Sequence, residues 1–114
     1  MISVLQVRPG RTIFTWLADP RLSLTRPGEP PPARPDIVLF PAGQSLDFAF
    51  ETPDLPEEAL SSIRSGHALV VLDSAQEAWR HHPERTQLVH DFFGRLGVSP
   101  ARCVYLTQDR GYAA

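Results

Sequence analysis

Several residue types and motifs that common functions require are absent from this 114-residue sequence. It has no lysine, so all 11 basic residues are arginine, and a P-loop, which needs a lysine to bind phosphate, is excluded. Its single cysteine, Cys103, excludes an internal disulfide and a cysteine-based zinc site. No apolar run approaches the roughly 18 residues that span a membrane. We therefore expect a soluble, cytoplasmic protein that does not bind membranes.

The charged residues are nearly balanced, with 11 basic and 13 acidic residues and a net charge of −2. Proteins that bind nucleic acid through its phosphates usually carry a basic excess or patch, which this sequence lacks. Its four histidines include the adjacent pair His81 and His82. None stands at the spacing of about four with which two helical histidines chelate one ion. The sequence predicts neither a nucleic-acid partner nor a metal site.

Residues 1–35 divide into a strand-forming region and a proline-rich region. In residues 1–19, Ile2–Val7 and Thr12–Leu17 are β-prone and flank a Pro-Gly pair that suits a type II turn, which predicts a β-hairpin. Residues 20–35 are rich in proline, which excludes a helix and a central strand and predicts an extended linker. Alternatively, the segment Pro27–Pro35 binds an aromatic groove of a partner, as in an adaptor protein.

Residues 36–114 alternate between apolar and amphipathic segments, typical of an α/β domain. Strands are predicted at 36–40, 68–72 and 102–106, and helices at 56–65 and 83–96. Because a helix crossover connects strands that run in the same direction, this order predicts a parallel sheet. The expected fold is half of a doubly wound, Rossmann-like sheet, preceded by the hairpin as an accessory or an edge.

The ends of the two predicted helices carry residues that suit their positions. Asp54 can cap the first helix through its side chain. Gly66 and Gly97 follow the last helical residues of the two helices and suit the left-handed conformation that ends a helix.

Polar residues follow each of the three predicted strands of residues 36–114. In an open parallel sheet the ligand site lies outside the carboxyl ends of the strands, near the point where the strand order reverses. This rule nominates eight candidate ligand-binding residues: Gly43, Gln44, Asp73, Ser74, Glu77, Thr107, Gln108 and Asp109. Each also has a structural interpretation; Ser74 and Glu77, for example, fit a capping box at a helix start.

Three short motifs within residues 65–112 carry a resemblance to a known group of proteins. These are Gly66–Glu77, which ends in Asp-Ser-x-x-Glu, Phe93–Val98, which contains Leu-Gly-Val, and Arg102–Asp109, which contains Thr-Gln-Asp. Over roughly 45 residues the chain resembles the amino-terminal α/β part of bacterial glycosyltransferase-like and surface-polysaccharide proteins. The resemblance implies a nucleotide-sugar or sugar-phosphate ligand.

Two classes of function therefore follow for the α/β domain, besides the adaptor. The first is a non-catalytic module that binds a ligand or a partner, including a second copy or a larger assembly joined through an exposed sheet edge. The second is a glycosyltransferase-like enzyme, with Asp73, Glu77 and Asp109 near the transferred sugar and a metal or an arginine opposite the diphosphate. We expect the non-catalytic module.

Overall fold

The structure is a computed structural model that describes residues 1–10, 19–42, 46–50, 54–74, 79 and 81–107. Its strands are β1 (Ile2–Gln6), β2 (Leu22–Thr25), β3 (Ile37–Pro41), β4 (Leu69–Ser74) and β5 (Cys103–Thr107). Its α-helices are α1 (Asp47–Phe50), α2 (Glu57–Arg64) and α3 (Arg85–Leu96), and a 3-10 turn at Pro100–Arg102 leads into β5.

The five strands form one all-parallel sheet in the order β2-β1-β3-β4-β5. This confirms the predicted α/β fold with a parallel sheet, and the strand order is compatible with a Rossmann-like architecture. The same order occurs in flavodoxin-like doubly wound sheets. The strands and helices predicted within residues 36–107 are all present, displaced by no more than two residues at their ends.

The helix ends confirm two of the three predicted terminal residues. Gly66 and Gly97 adopt positive φ angles of 77° and 72°, Gly66 after the C-cap residue Ser65 of α2 and Gly97 directly after α3. The prediction that Asp54 caps α2 is wrong, because the cap position is occupied by Pro56 and no side chain bonds to it there. Pro56 fixes its own φ at −60°, a value that suits the start of a helix.

The N-terminal strand is present, but the predicted hairpin pairing is wrong. Strand β1 pairs in parallel with β2 on one side and with β3 on the other, so neither edge is left for an antiparallel neighbour. Val4 and Leu5 point to opposite faces and are both buried, which suits an interior strand. The proposed partner segment, Thr12–Leu17, lies outside the described residues.

The proline-rich region is also more ordered than a linker. It contains β2, a four-residue strand without proline that lies between Pro20 and Pro27 at the edge of the sheet. Prolines are compatible with that position because they flank the strand rather than interrupt its hydrogen bonds. At the end of the region, Pro35 is buried and its carbonyl accepts a 2.6 Å hydrogen bond from the Ser62 hydroxyl of α2. The two ends of the region, β2 and Pro35, are therefore part of the packed fold, while most residues between them are exposed.

The two faces of the sheet are covered differently. On one face, which we call the helical face, β-strand residues pack against α1, α2 and α3 around Phe48 and Phe92. On the opposite face, Val4, Leu39 and Val71 form a smaller cluster with half-buried residues of β2, β3 and β5. Within the described residues, that smaller cluster is built from strands alone.

Candidate functional site

The strand order places the reversal point of the sheet between β1 and β3. From β1 the chain moves outward to β2, and then returns to the other side of β1 to build β3, β4 and β5. In doubly wound sheets, ligands bind in the crevice outside the carboxyl ends of the two strands at this point. The crevice here lies between the residues that follow β1 and those that follow β3. Sequence reasoning missed the β1 side because it assigned β1 to a hairpin.

Arg8 is the charged residue that follows β1 at the reversal point. Its guanidinium carbon lies 5.2 Å from the centroid of the Phe40 ring, within the range of a cation–π contact. Its Nη2 atom lies 3.4 Å from Oδ2 of Asp47 at the start of α1. Charge-assisted hydrogen bonds are typically 2.7–2.9 Å long, so this pair is loose. About one third of the Arg8 side chain is exposed (32%), and its charge is therefore within reach of a ligand.

The backbone around Arg8 is held firmly against β3. Gln6 is buried, and its Nε2 atom donates hydrogen bonds to the carbonyls of Arg8 (3.0 Å) and Gly10 (3.5 Å). A β-carbon added at Gly10 would lie 2.7 Å from Cβ of Pro41, so the close approach of the two segments requires glycine. The φ angle of Gly10 is 159° rather than the +80° of a type II turn, so the predicted turn is wrong.

Asp73 is the only one of the nominated acidic residues that lies within the described part of the chain. It stands opposite Pro41 and Leu106 in the sheet register, and its backbone carbonyl accepts a 2.7 Å hydrogen bond from the Ala42 amide. Its side chain is fully buried; Asp73 has interaction partners, but none of the described residues donates a hydrogen bond to its Oδ2 atom. Burying a carboxylate is costly, which sets Asp73 apart from the surface acids.

Ser74 and Thr107 lie opposite each other at the ends of β4 and β5. The buried Ser74 hydroxyl donates a 2.9 Å hydrogen bond to the Leu106 carbonyl, and so links the two strands. The carboxyl ends of β3, β4 and β5 therefore meet at one edge of the sheet, as the sequence predicts. The other nominated residues lie outside the described part of the chain; they are Gly43, Gln44, Glu77, Gln108 and Asp109.

Trp79 packs beneath this edge on the helical face. Its ring centroid lies 4.9 Å from that of Phe48 and 6.4 Å from that of Tyr105, with nearly parallel planes in the second pair. Trp79 is buried, and its indole N–H has no hydrogen-bond acceptor among the described residues. The ring therefore serves the core.

A second polar cluster, formed by Ser3, Asp36 and His67, lies at the amino ends of β1, β3 and β4. Asp36 Oδ2 accepts hydrogen bonds from the Ser3 amide (2.9 Å) and hydroxyl (3.2 Å), and Oδ1 lies 2.6 Å from His67 Nε2. The Ser3 amide contributes most to lowering the pKa of Asp36, followed by His67.

This cluster contains the residue types of a catalytic triad in the wrong order. In a serine nucleophile site the histidine stands between the serine and the acid, so that it can take the serine proton. Here the acid, Asp36, stands between Ser3 and His67 and binds both. The arrangement therefore ties three strand ends together and does not activate the serine.

Among the described residues, no group of three histidine, cysteine or acidic side chains is arranged to hold a metal ion. In the same part of the chain, no helix is both long and apolar enough to cross a membrane. Comparison of the chain with protein-family models, curated proteins and solved structures found no match. The resemblance to glycosyltransferase-like proteins accordingly remains a prediction.

Proposed function

We propose that this protein is a non-catalytic module that binds a small ligand at the crevice between the carboxyl ends of β1 and β3. The observation that carries the proposal is the position of Arg8, a partly exposed cation at the reversal point of a parallel sheet. Ligands of doubly wound sheets bind at this point. The proposal follows the expected binding module but moves its centre towards β1.

The chemistry of Arg8 favours a ligand with a phosphate or carboxylate group. A guanidinium presents a planar fork of donors that matches such groups. The Phe40 ring supports the guanidinium at 5.2 Å, and the 3.4 Å pair with Asp47 leaves donors for a second acceptor. Because Gln6 and Gly10 fix the neighbouring backbone, the base of the Arg8 side chain is held in place before a ligand arrives. Such preorganisation lowers the entropic cost of binding.

Calorimetric titration with inorganic phosphate and with uridine diphosphate tests the proposal. We expect binding that Arg8→Gln weakens by about tenfold or more, since a hydrogen bond to a charged group contributes about 1.5–3 kcal/mol. Arg64→Gln is the matched control, because Arg64 is an exposed arginine at the end of α2. Absence of binding, or equal weakening by both variants, would contradict the proposal.

The enzymatic alternative is tested with a related probe, in which a sugar is attached to the uridine diphosphate. Incubation with uridine diphosphate glucose and Mg²⁺ leaves the substrate intact if the module is not catalytic. Steady release of uridine diphosphate, proportional to protein concentration, would replace the binding module with a glycosyltransferase-like enzyme.

A second candidate is self-association through the outer edge of β5. Within the described residues, no strand pairs with that edge. Cys103, Val104, Tyr105 and Leu106 are half-buried and uncharged, whereas charges and prolines usually protect exposed edges. The opposite edge, β2, is flanked by Arg21 and Arg26. Pairing of two β5 strands would continue the sheet across a dimer.

Light scattering tests this candidate, with an expected mass of twice 12.7 kDa. Val104→Lys on β5 should return the mass to that of one chain. Leu24→Lys is the matched control, because Leu24 is a half-buried residue on the same face of the other edge strand. A monomeric parent protein, or a Val104→Lys variant that stays folded and dimeric, would contradict the candidate.

A further inference from the structure

A pocket separate from the Arg8 crevice lies between the C-terminal half of α3 and the start of β5. It has a volume of about 320 Å³ and is lined by His90, Phe93, Gly94, Val98, Pro100 and Cys103. Pockets that bind small molecules begin at about 300 Å³. Because Cys103 is the first residue of β5, the pocket stands at the opposite end of that strand from the proposed ligand edge.

Gly94 keeps this pocket open without being required by the fold. It lies inside α3, and a β-carbon added there would meet no atom within 4 Å. Its φ angle is not positive, so the backbone conformation does not require glycine either. Glycine within a helix is less stable than alanine by about 0.5–1 kcal/mol. The helix therefore accepts a cost in stability at a position where a side chain would narrow the pocket.

The lining of the pocket favours an uncharged ligand. Phe93 and Val98 are buried and form apolar walls, and none of the lining residues is an acid or an arginine. The Cys103 thiol donates a 3.4 Å hydrogen bond to the Ser99 carbonyl. Burial raises the pKa of this thiol, so the thiol stays neutral. His90 is exposed at the rim and provides one polar contact.

We infer that this pocket binds a neutral, largely apolar small molecule of about two fused rings. The size follows from the volume, since a cavity of about 150 Å³ holds one benzene molecule. The neutral and largely apolar character of the ligand follows from the apolar walls, the neutral thiol and the single polar group at the rim. Such a ligand would lie against Gly94, with its polar atom towards His90.

Indole is a suitable probe, and the only cysteine of the chain reports on its binding directly. We expect saturating indole to slow the reaction of Cys103 with a thiol reagent severalfold in the parent protein. Gly94→Leu should fill the pocket, abolish calorimetric indole binding and leave the unfolding temperature unchanged or higher. Thr86→Leu, an exposed residue of the same helix, is the control that should keep binding.

Two results would overturn this inference, and one control separates it from the proposed phosphate site. An unchanged rate of Cys103 modification in the presence of indole would overturn the inference without any variant having to fold. Indole binding that survives in folded Gly94→Leu would overturn it as well. Arg8→Gln should leave indole binding unchanged, so failure of the phosphate site and failure of this pocket are distinguishable.

Discussion

The two ends of the sheet each carry a charged residue, but the two residues differ in how tightly they are paired. At the amino end, the Asp36 carboxylate is engaged by two groups of Ser3 and by His67 at distances of 2.6–3.2 Å. At the carboxyl end, Arg8 makes one 3.4 Å pair with Asp47 and keeps a third of its side chain exposed. Mutually satisfied groups stabilise the fold, whereas a loosely paired and accessible charge is available to a ligand. The difference indicates a structural role for the first end and supports the proposal that the second end binds a ligand.

The largest effect on stability should come from crowding the backbone at the carboxyl end. Gly10→Ala brings a β-carbon within 2.7 Å of Pro41, and we expect a loss of about 1–3 kcal/mol in the free energy of unfolding. Urea denaturation measures this loss. Gly94→Ala is the matched control, because space and φ angle both permit alanine there, and it should not destabilise the protein. Equal effects of the two variants would contradict the close packing of residues 8–10 on β3.

A smaller loss should follow from weakening the amino-end cluster. Asp36→Asn removes the negative charge that accepts hydrogen bonds from Ser3 and His67, and we expect a loss of about 1 kcal/mol because the site is partly exposed. The difference between parent and variant in urea denaturation at pH 5–6 measures this contribution.

The pH dependence of that difference has a definite sign. Since the folded-state pKa of Asp36 lies below its unfolded value of about 3.9, its contribution to stability is present above that value. The contribution is lost as the pH falls through the lower folded-state pKa. Parent protein and Asp36→Asn should therefore converge in stability as the pH falls below about 4. A difference that stays constant as the pH is lowered through this range would show that the charge of Asp36 is not the stabilising feature.

The smallest effect on stability should come from Arg8. Its loose and partly exposed pair with Asp47 should contribute at most about 1 kcal/mol. The free energy of unfolding of Arg8→Gln should therefore lie within about 1 kcal/mol of that of the parent, while phosphate binding is lost. A loss of stability as large as that of Gly10→Ala would mean that Arg8 supports the fold instead, and would reverse the contrast between the two ends.

Within residues 36–107 the sequence predicted the three strands and the two longer helices, because their apolar pattern and their stop residues agree, but it missed the short helix α1 and the 3-10 turn. Strands such as β3 are continuously apolar, and Gly97 ends α3 where the pattern ends. Prediction failed before Asp36 because local signals compete with long-range pairing. The Pro-Gly pair after Arg8 is typical of a turn, and the prolines around Leu22–Thr25 conceal a short edge strand.

The candidate site could be predicted only in its general position. The carboxyl edge of the sheet follows from the parallel strands, and Asp73, Ser74 and Thr107 do lie there. The reversal point did not follow, because it depends on which strands flank β1. The adjacent apolar residues Val4 and Leu5, both buried in the structure, were the sequence signal that β1 is an interior strand. Arg8 becomes a candidate only once that placement is known.

The position of β1 has a consequence for how the chain reaches its native state. Both strands that flank β1 come later in the chain, and Ser3 bonds to Asp36 across 33 positions. A growing chain that has not yet reached β3 leaves one side of β1 without its native neighbour. Closing so long a loop before any hydrogen bond forms is entropically unfavourable and slows folding. Synthesis through β3 is therefore the earliest stage at which the centre of this sheet can assemble.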